Sequence, residues 1–234
     1  MSDPEQAHML LGGGYASASL DDKQNPASFD IQIETELTTY TSIYRTIYSK
    51  GHGAGNRGSH ISWTDPYRMQ NLASTDGASQ QTLFSAWPLP VAANEHIWSR
   101  MTWDHLLGQW YNWYAKVEGN WIQTGSAGTG LSGPAFNSQN AAFIGAAGGA
   151  NPAYGKIYRA RVFDLQSGEC VLDFDPKGHD KLTTWVSVTG ETWTLNGVAE
   201  IIDPNAASLP LPIQPGSGPD RTLPDDEYAA LKAL

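Results

Sequence analysis

The chain is nearly free of cysteine: Cys170 is its one thiol. That excludes an intrachain disulfide framework and a cysteine-based zinc site. Charge is scarce too, at 16% of 234 residues, against about 25% in an average domain. Cations are scarcest, with 14 Lys and Arg against 24 Asp and Glu and a net charge of −10. Sequence-independent binding to nucleic acid or anionic lipid needs clustered positive charge, so no nucleic-acid partner is expected. No apolar run reaches the roughly 18–20 residues of a membrane-spanning helix, so membrane insertion is not expected either. The opening MSDPEQAHMLLGGGY lacks the basic start and long apolar stretch of a signal peptide. The expectation is synthesis in a cytoplasm, with any outside role reached by a route other than secretion.

Turn formers and aromatics are what the chain has in quantity: 24 glycines, 14 prolines, 9 tryptophans and 10 tyrosines. Period-two alternation dominates. Over 29–37 the odd positions, from Phe29 through Ile31 and Ile33 to Leu37, are mainly apolar and the even ones polar, the mark of a half-buried antiparallel strand. Further strands are expected over 42–48, 60–64, 67–73, 81–87, 97–103, 109–117, 121–123, 142–145, 156–164, 170–175, 183–188 and 192–195. Their spacing of about 10–12 residues, punctuated by turns, is that of a sandwich or barrel. A chain this long buries about 70% of its unfolded surface and needs no staple.

From residue 204 the composition changes. Six prolines fall between Pro204 and Pro224, so 204–224 reads as an extended, partly polyproline linker. Residues 225–234 read as a short helix with acids first and Lys232 near its end. It is too short to hold itself, and Tyr228, Leu231 and Leu234 would form one apolar stripe that docks into a partner groove. The domain expectation is a sandwich over 1–203, a linker over 204–224 and a docking segment over 225–234.

Several pieces, in order, resemble a known family: FDIQIE at 29–34, TIYSKG at 46–51, WSRMTWD at 98–104, AFIG at 142–145 and GKIYRARVFD at 155–164. Together they resemble a concanavalin A-like jelly roll of the laminin-G type. The opening Gly13-Gly14-Tyr15-Ala16-Ser17, the turn WIQTG at 121–125, Phe174-Asp175-Pro176 and GETWTLNG at 190–197 are similar to the laminin-G-like domains of minor tail proteins in phages of actinobacteria. The likeness spans about residues 12–202. The chain departs from it in lacking a long polar insertion before the first strand and in a Gly- and Ser-rich loop at 125–140. The resemblance implies an all-β jelly-roll sandwich in a virion, working in many copies or as a symmetric homo-oligomer among other virion proteins. It also implies a lectin-like surface for host glycan, and the alternative of a capsid decoration protein.

A glucanase is the third reading, because concanavalin A-like folds include such enzymes. Their retaining mechanism needs two carboxylates about 5–5.5 Å apart. Asp30, Glu34 and Glu36 share one strand face, but Gln32 interrupts the Glu-x-Asp-x-Glu order. No catalytic residue is assigned, no enzyme is expected, and the acids read as a solvated face. The resemblance also brings in calcium, with Asp65, Asp76, Asp104 and Asp180 as candidate ligands. However, no dense acidic loop exists, and no metal residue is assigned. His8, His52, His60, His96, His105 and His179 are scattered without metal-pair spacing and read as surface or turn residues, with His52 in its Gly-rich loop worth watching. The glycine runs at 12–14 and 51–55 are not followed by Gly-Lys-Ser/Thr, so they read as loops, not phosphate cradles. Trp98, Trp103 and Trp113 are expected in the core. Sugars stack on exposed rings, so Trp63, Tyr67, Trp87, Trp121 and Tyr154 are the glycan-binding candidates.

Overall fold

A computed structural model describes residues 6–19, 22–40, 44–51, 53, 55 and 56–205. The Pro-rich linker beyond Asn205, the docking residues Tyr228, Leu231 and Leu234, and His52 lie outside the described residues. The described chain is all-β, with one short 3-10 turn at Asp22–Gln24. In chain order the strands are β1 (His8–Leu10), β2 (Tyr15–Ala18), β3 (Phe29–Leu37), β4 (Arg45–Lys50), β5 (Ser59–Thr64), β6 (Arg68–Ala73), β7 (Gln81–Phe84) and β8 (His96–Asp104). They continue as β9 (Gln109–Lys116), β10 (Ile122–Gln123), β11 (Ala142–Ile144), β12 (Gly155–Asp164), β13 (Cys170–Phe174), β14 (Thr184–Val186), β15 (Thr192–Asn196) and β16 (Glu200–Ile202).

Two antiparallel sheets pack face to face as a jelly-roll sandwich. The first runs β10-β9-β8-β3-β12-β1-β16, with β13 sharing the outer edge of β12 with β1. The second runs β14-β15-β2-β11-β4-β5-β6-β7. Alternation decides which side chains meet between them. Ile31 and Ile33 of β3, Ile97, Met101 and Trp103 of β8, Ile61 and Trp63 of β5 and Trp193 of β15 are all buried in one core. Burying a large apolar side chain stabilises by roughly 1.5–3 kcal/mol, so the pattern fixes strand register. A one-residue slip would turn every such side chain outward.

Three bulges break the alternation, one of them in the β12–β13 ladder, where the register shifts between Val162 and Phe163. The β4–β5 register shifts at Ile47, and both Ile47 and Tyr48 reach the core. The β3–β12 register shifts at Tyr158. Glu36 and Glu34 then face Lys156 and Arg159, and the Tyr158 hydroxyl donates to Glu36 Oε2 at 2.7 Å. A bulge leaves one residue unpaired and re-aims its neighbours.

The expected strands correspond to β3 through β15. Strands β1, β2 and β16 were not anticipated as strands, being three or four residues long. His8 and His60, expected at the surface or in turns, are buried on β1 and β5.

Candidate functional site

Outward-facing residues of the first sheet build a layer of alternating aromatic and charged groups. On β8 the even positions Trp98, Arg100 and Thr102 point away from the core, because Ile97, Met101 and Trp103 point in. On β9 the same logic puts Trp110 inside and Tyr111 and Trp113 outside. Trp98 and Trp113 are therefore half-buried surface rings, not core residues. Only Trp103 of the three expected core tryptophans is fully enclosed.

Trp121, in the turn before β10, meets Trp98 edge to face with ring centres 6.3 Å apart. The Arg100 guanidinium lies over Trp121 at 5.2 Å and over Trp113 at 5.5 Å. Arg161 of β12 lies over Trp98 at 5.4 Å and Phe163 at 5.4 Å. Such cation–π contacts contribute about 0.5–1 kcal/mol at exposed sites. Trp98 and Trp121 line a cleft of about 180 Å³ with Gln32, Lys116, Glu118 and Arg161.

Beneath these rings lies a polar network. Arg100 donates twice to Asp30, at 2.8 and 2.7 Å. Gln32 Nε2 donates to Asp30 at 2.9 Å, and Gln32 Oε1 accepts from Arg161 at 3.3 Å. Gln32 is thus the link between two arginines. Glu34 lies 2.9 Å from His96 Nε2, off the line of a good hydrogen bond, and His96 stacks on Tyr158 with centres 3.9 Å apart. Asp30 and Glu34 are 6% and 5% exposed, which corrects the reading of these acids as a solvated face. Arginine and histidine partners let them be covered, since an unpaired carboxylate could not be buried. At the cleft rim Lys116 pairs with Glu95 at 2.6 Å, and each holds the other charged: the Glu95 carboxyl lies below its ordinary range and the Lys116 ammonium above.

The five glycan candidates do not converge. Trp63 is fully buried, since β5 turns Ile61 and Trp63 inward, and it packs edge-on against Tyr40 at 4.7 Å. That removes it as a sugar platform. Tyr67 sits in the turn before β6 and packs against the core. Trp87 is 48% exposed. Tyr154 is 38% exposed and carries the Arg45 guanidinium 4.9 Å over its ring. Of the five, Trp121 joins the outward-facing aromatic layer of the first sheet, and the partners that sequence reasoning missed are Trp98 and Trp113. Parity could have found them: Trp98 lies five residues before Trp103, and an odd separation on one strand means opposite faces.

The calcium candidates lie in separate turns. Asp76 is spent on the amides of Ala78 and Ser79, Asp104 on those of Leu106 and Leu107, and Asp180 accepts from Asp203. Among the described residues no three His, Cys, Asp or Glu side chains are placed to hold a metal ion. Among the described residues no helix is long and apolar enough to cross a membrane.

No family model and no curated protein sequence matches the chain. Solved structures do match its fold. A Bacteroides ovatus protein assigned to carbohydrate binding aligns over 86% of this chain and 60% of its own, at 14% identity and a TM-score of 0.61. The CBM40 module of the Ruminococcus gnavus IT-sialidase, bound to α2,3-sialyllactose, aligns over 68% of this chain and 90% of its own, at 19% identity and a TM-score of 0.51. Domains LG4-5 of the mouse laminin α1 chain align over 73% of this chain and 44% of their own, at 11% identity and a TM-score of 0.50. The fold is that of the laminin G-like and carbohydrate-binding jelly rolls. This chain spans about 60% of the Bacteroides protein's length.

Proposed function

We propose that the chain is a carbohydrate-binding structural component of a tailed-phage virion, of minor tail or adhesion type, and that it binds glycan at the Trp98–Trp121 cleft. The observation that carries this reading is the cleft itself: two indoles propped by arginines, with Gln32, Lys116 and Glu118 around them. A sugar ring presents an apolar C–H face and an equatorial rim of hydroxyls. An indole edge and face meet the first, and amide, ammonium and carboxylate groups meet the second. A shallow cleft gives weak affinity per site, so useful attachment comes from many copies on one particle. The virion setting rests on the sequence resemblance over about residues 12–202.

Binding without hydrolysis is part of the proposal. Asp30 is held by Arg100 and Gln32, Glu34 lies against His96, and Glu36 is shared by Tyr158 and Lys156. A retaining glycosidase needs one carboxylate free to attack and another free to carry a proton. The test is a glycan array probed with the multimerised chain. Hits that fall in Trp121→Ala and Trp98→Ala, without release of reducing sugar, support the reading. Sugar release that disappears in Glu34→Gln or Glu36→Gln overturns its non-catalytic half. Locating the chain on particles by electron microscopy separates tail from head.

A further inference from the structure

The second sheet carries a groove that the Trp98–Trp121 cleft does not use. Its floor is a row of short polar side chains across three strands. Thr46 of β4 faces Ser62 of β5, which faces Gln70 of β6, and the Thr46 and Ser62 hydroxyls are 3.2 Å apart. His60 and Leu72 form the next row. Over this floor lies an open groove of about 450 Å³. Arg57 and Gln80 enter from two loops, Ala147 and Asn151 from a third, and Tyr44 stands at the rim, 42% exposed.

Three features suit the groove to a ligand. Gln70 is 4% exposed, yet its Oε1 has no hydrogen-bond partner. Gln80 Nε2 is also buried without a partner. A buried polar atom left unpaired costs about 1–3 kcal/mol, so an acceptor and a donor beside one groove call for an occupant with hydroxyls. Third, Arg57 is half-buried and forms no ion pair among the described residues. The nearby Asp76 carboxylate is committed to the amides of its own turn. In a chain of net charge −10, the groove lining has an arginine and a histidine and no carboxylate.

We propose that this groove is a second binding site, on the sheet opposite the aromatic cleft, and that it takes an acidic sugar residue. The sugar carboxylate pairs with the Arg57 guanidinium, whose planar fork suits a carboxylate. A ring hydroxyl donates to Gln70 Oε1, and a ring or hydroxyl oxygen accepts from Gln80 Nε2. The Tyr44 ring offers a stacking face at the entrance. The inference is independent of the aromatic cleft, since no residue is shared.

The test is calorimetric titration of the full chain with trigalacturonate and, separately, with its methyl ester, which keeps the hydroxyls and removes the charge. The acid binds at least about tenfold more tightly than the ester. Arg57→Gln and Gln70→Leu each weaken the acid by about tenfold or more, with circular dichroism unchanged. Trp121→Ala leaves it unaltered. Acid and ester binding equally, or Arg57→Gln binding as well as the parent, overturns the proposal. So does inorganic phosphate displacing the acid at comparable concentration, since that marks a simple anion site. Absence of binding by trigalacturonate and by methyl glucuronide up to about 10 mM overturns it as well.

Discussion

Arg161 on β12 lays its guanidinium 5.4 Å from the centre of the Trp98 ring on β8, reaching across the whole width of β3. Gln32 is what lies beneath the reach, accepting from Arg161 and donating to Asp30, which in turn holds Arg100. The residue that breaks a glucanase-like run of acids is therefore the bridge between the two arginines that lie over the indoles.

Replacing that bridge isolates its role. Gln32→Met keeps length and loses both hydrogen bonds. We expect glycan affinity to fall by about tenfold while stability falls by about 1 kcal/mol, read by array titration and by urea unfolding. Unchanged affinity would mean that Arg161 and Trp98 hold their positions without Gln32.

Trp63 and Trp121 should behave as opposites. Trp63→Ala opens the core and costs about 3–5 kcal/mol. Any loss of glycan binding should follow the unfolded fraction. Trp121→Ala sits at the surface and should change the unfolding midpoint little while abolishing binding. Thermal unfolding and array signal on the same samples distinguish the two.

Asp76 gives a pH signature. Its carboxyl accepts from two turn amides and the Ser74 hydroxyl, which holds it at about 2, below the ordinary 3.8. A depressed folded value means the contribution is complete above 3.8 and is lost as pH falls through about 2. The gap in unfolding midpoint between parent and Asp76→Ala should be constant at neutral pH and narrow across that acid window. A gap that widens on acidification would contradict the assignment.

The boundary of the sandwich is testable by truncation. Asp203 is buried and accepts from the Gly178 and Asn205 amides, so the hydrogen-bond network of the sandwich reaches residue 205. A chain ending at 205 should fold and bind glycan as the parent does, and a chain ending at 202 should lose stability. If the docking stripe of Tyr228, Leu231 and Leu234 attaches the chain to its particle, the 205 truncation should fold yet fail to incorporate.

Much of the sheet structure was legible in alternation alone. Phe29, Ile31, Ile33 and Leu37 read as one buried face and are one. What alternation could not supply was the three bulges, because one extra residue in a strand leaves no mark in a period-two pattern. Strands β1 and β16 were also hidden, being three residues each and defined by pairing with each other and not by their own pattern. For the site, aromatic density at 98–114 was visible, but its division between core and surface required parity to be carried from Trp103 back to Trp98. The convergence of Trp121 with Trp98 depends on β10 folding back against β9, a contact that no local pattern encodes.

The most direct test of glycan binding at the aromatic cleft is to follow the nine tryptophan indole N–H signals by NMR during titration with the strongest array glycan. The Trp98 and Trp121 signals should move in a saturable way, Trp113 should move less, and the buried Trp63, Trp103, Trp110 and Trp193 should stay fixed. Saturable binding that leaves Trp98 and Trp121 unmoved would contradict binding at this cleft.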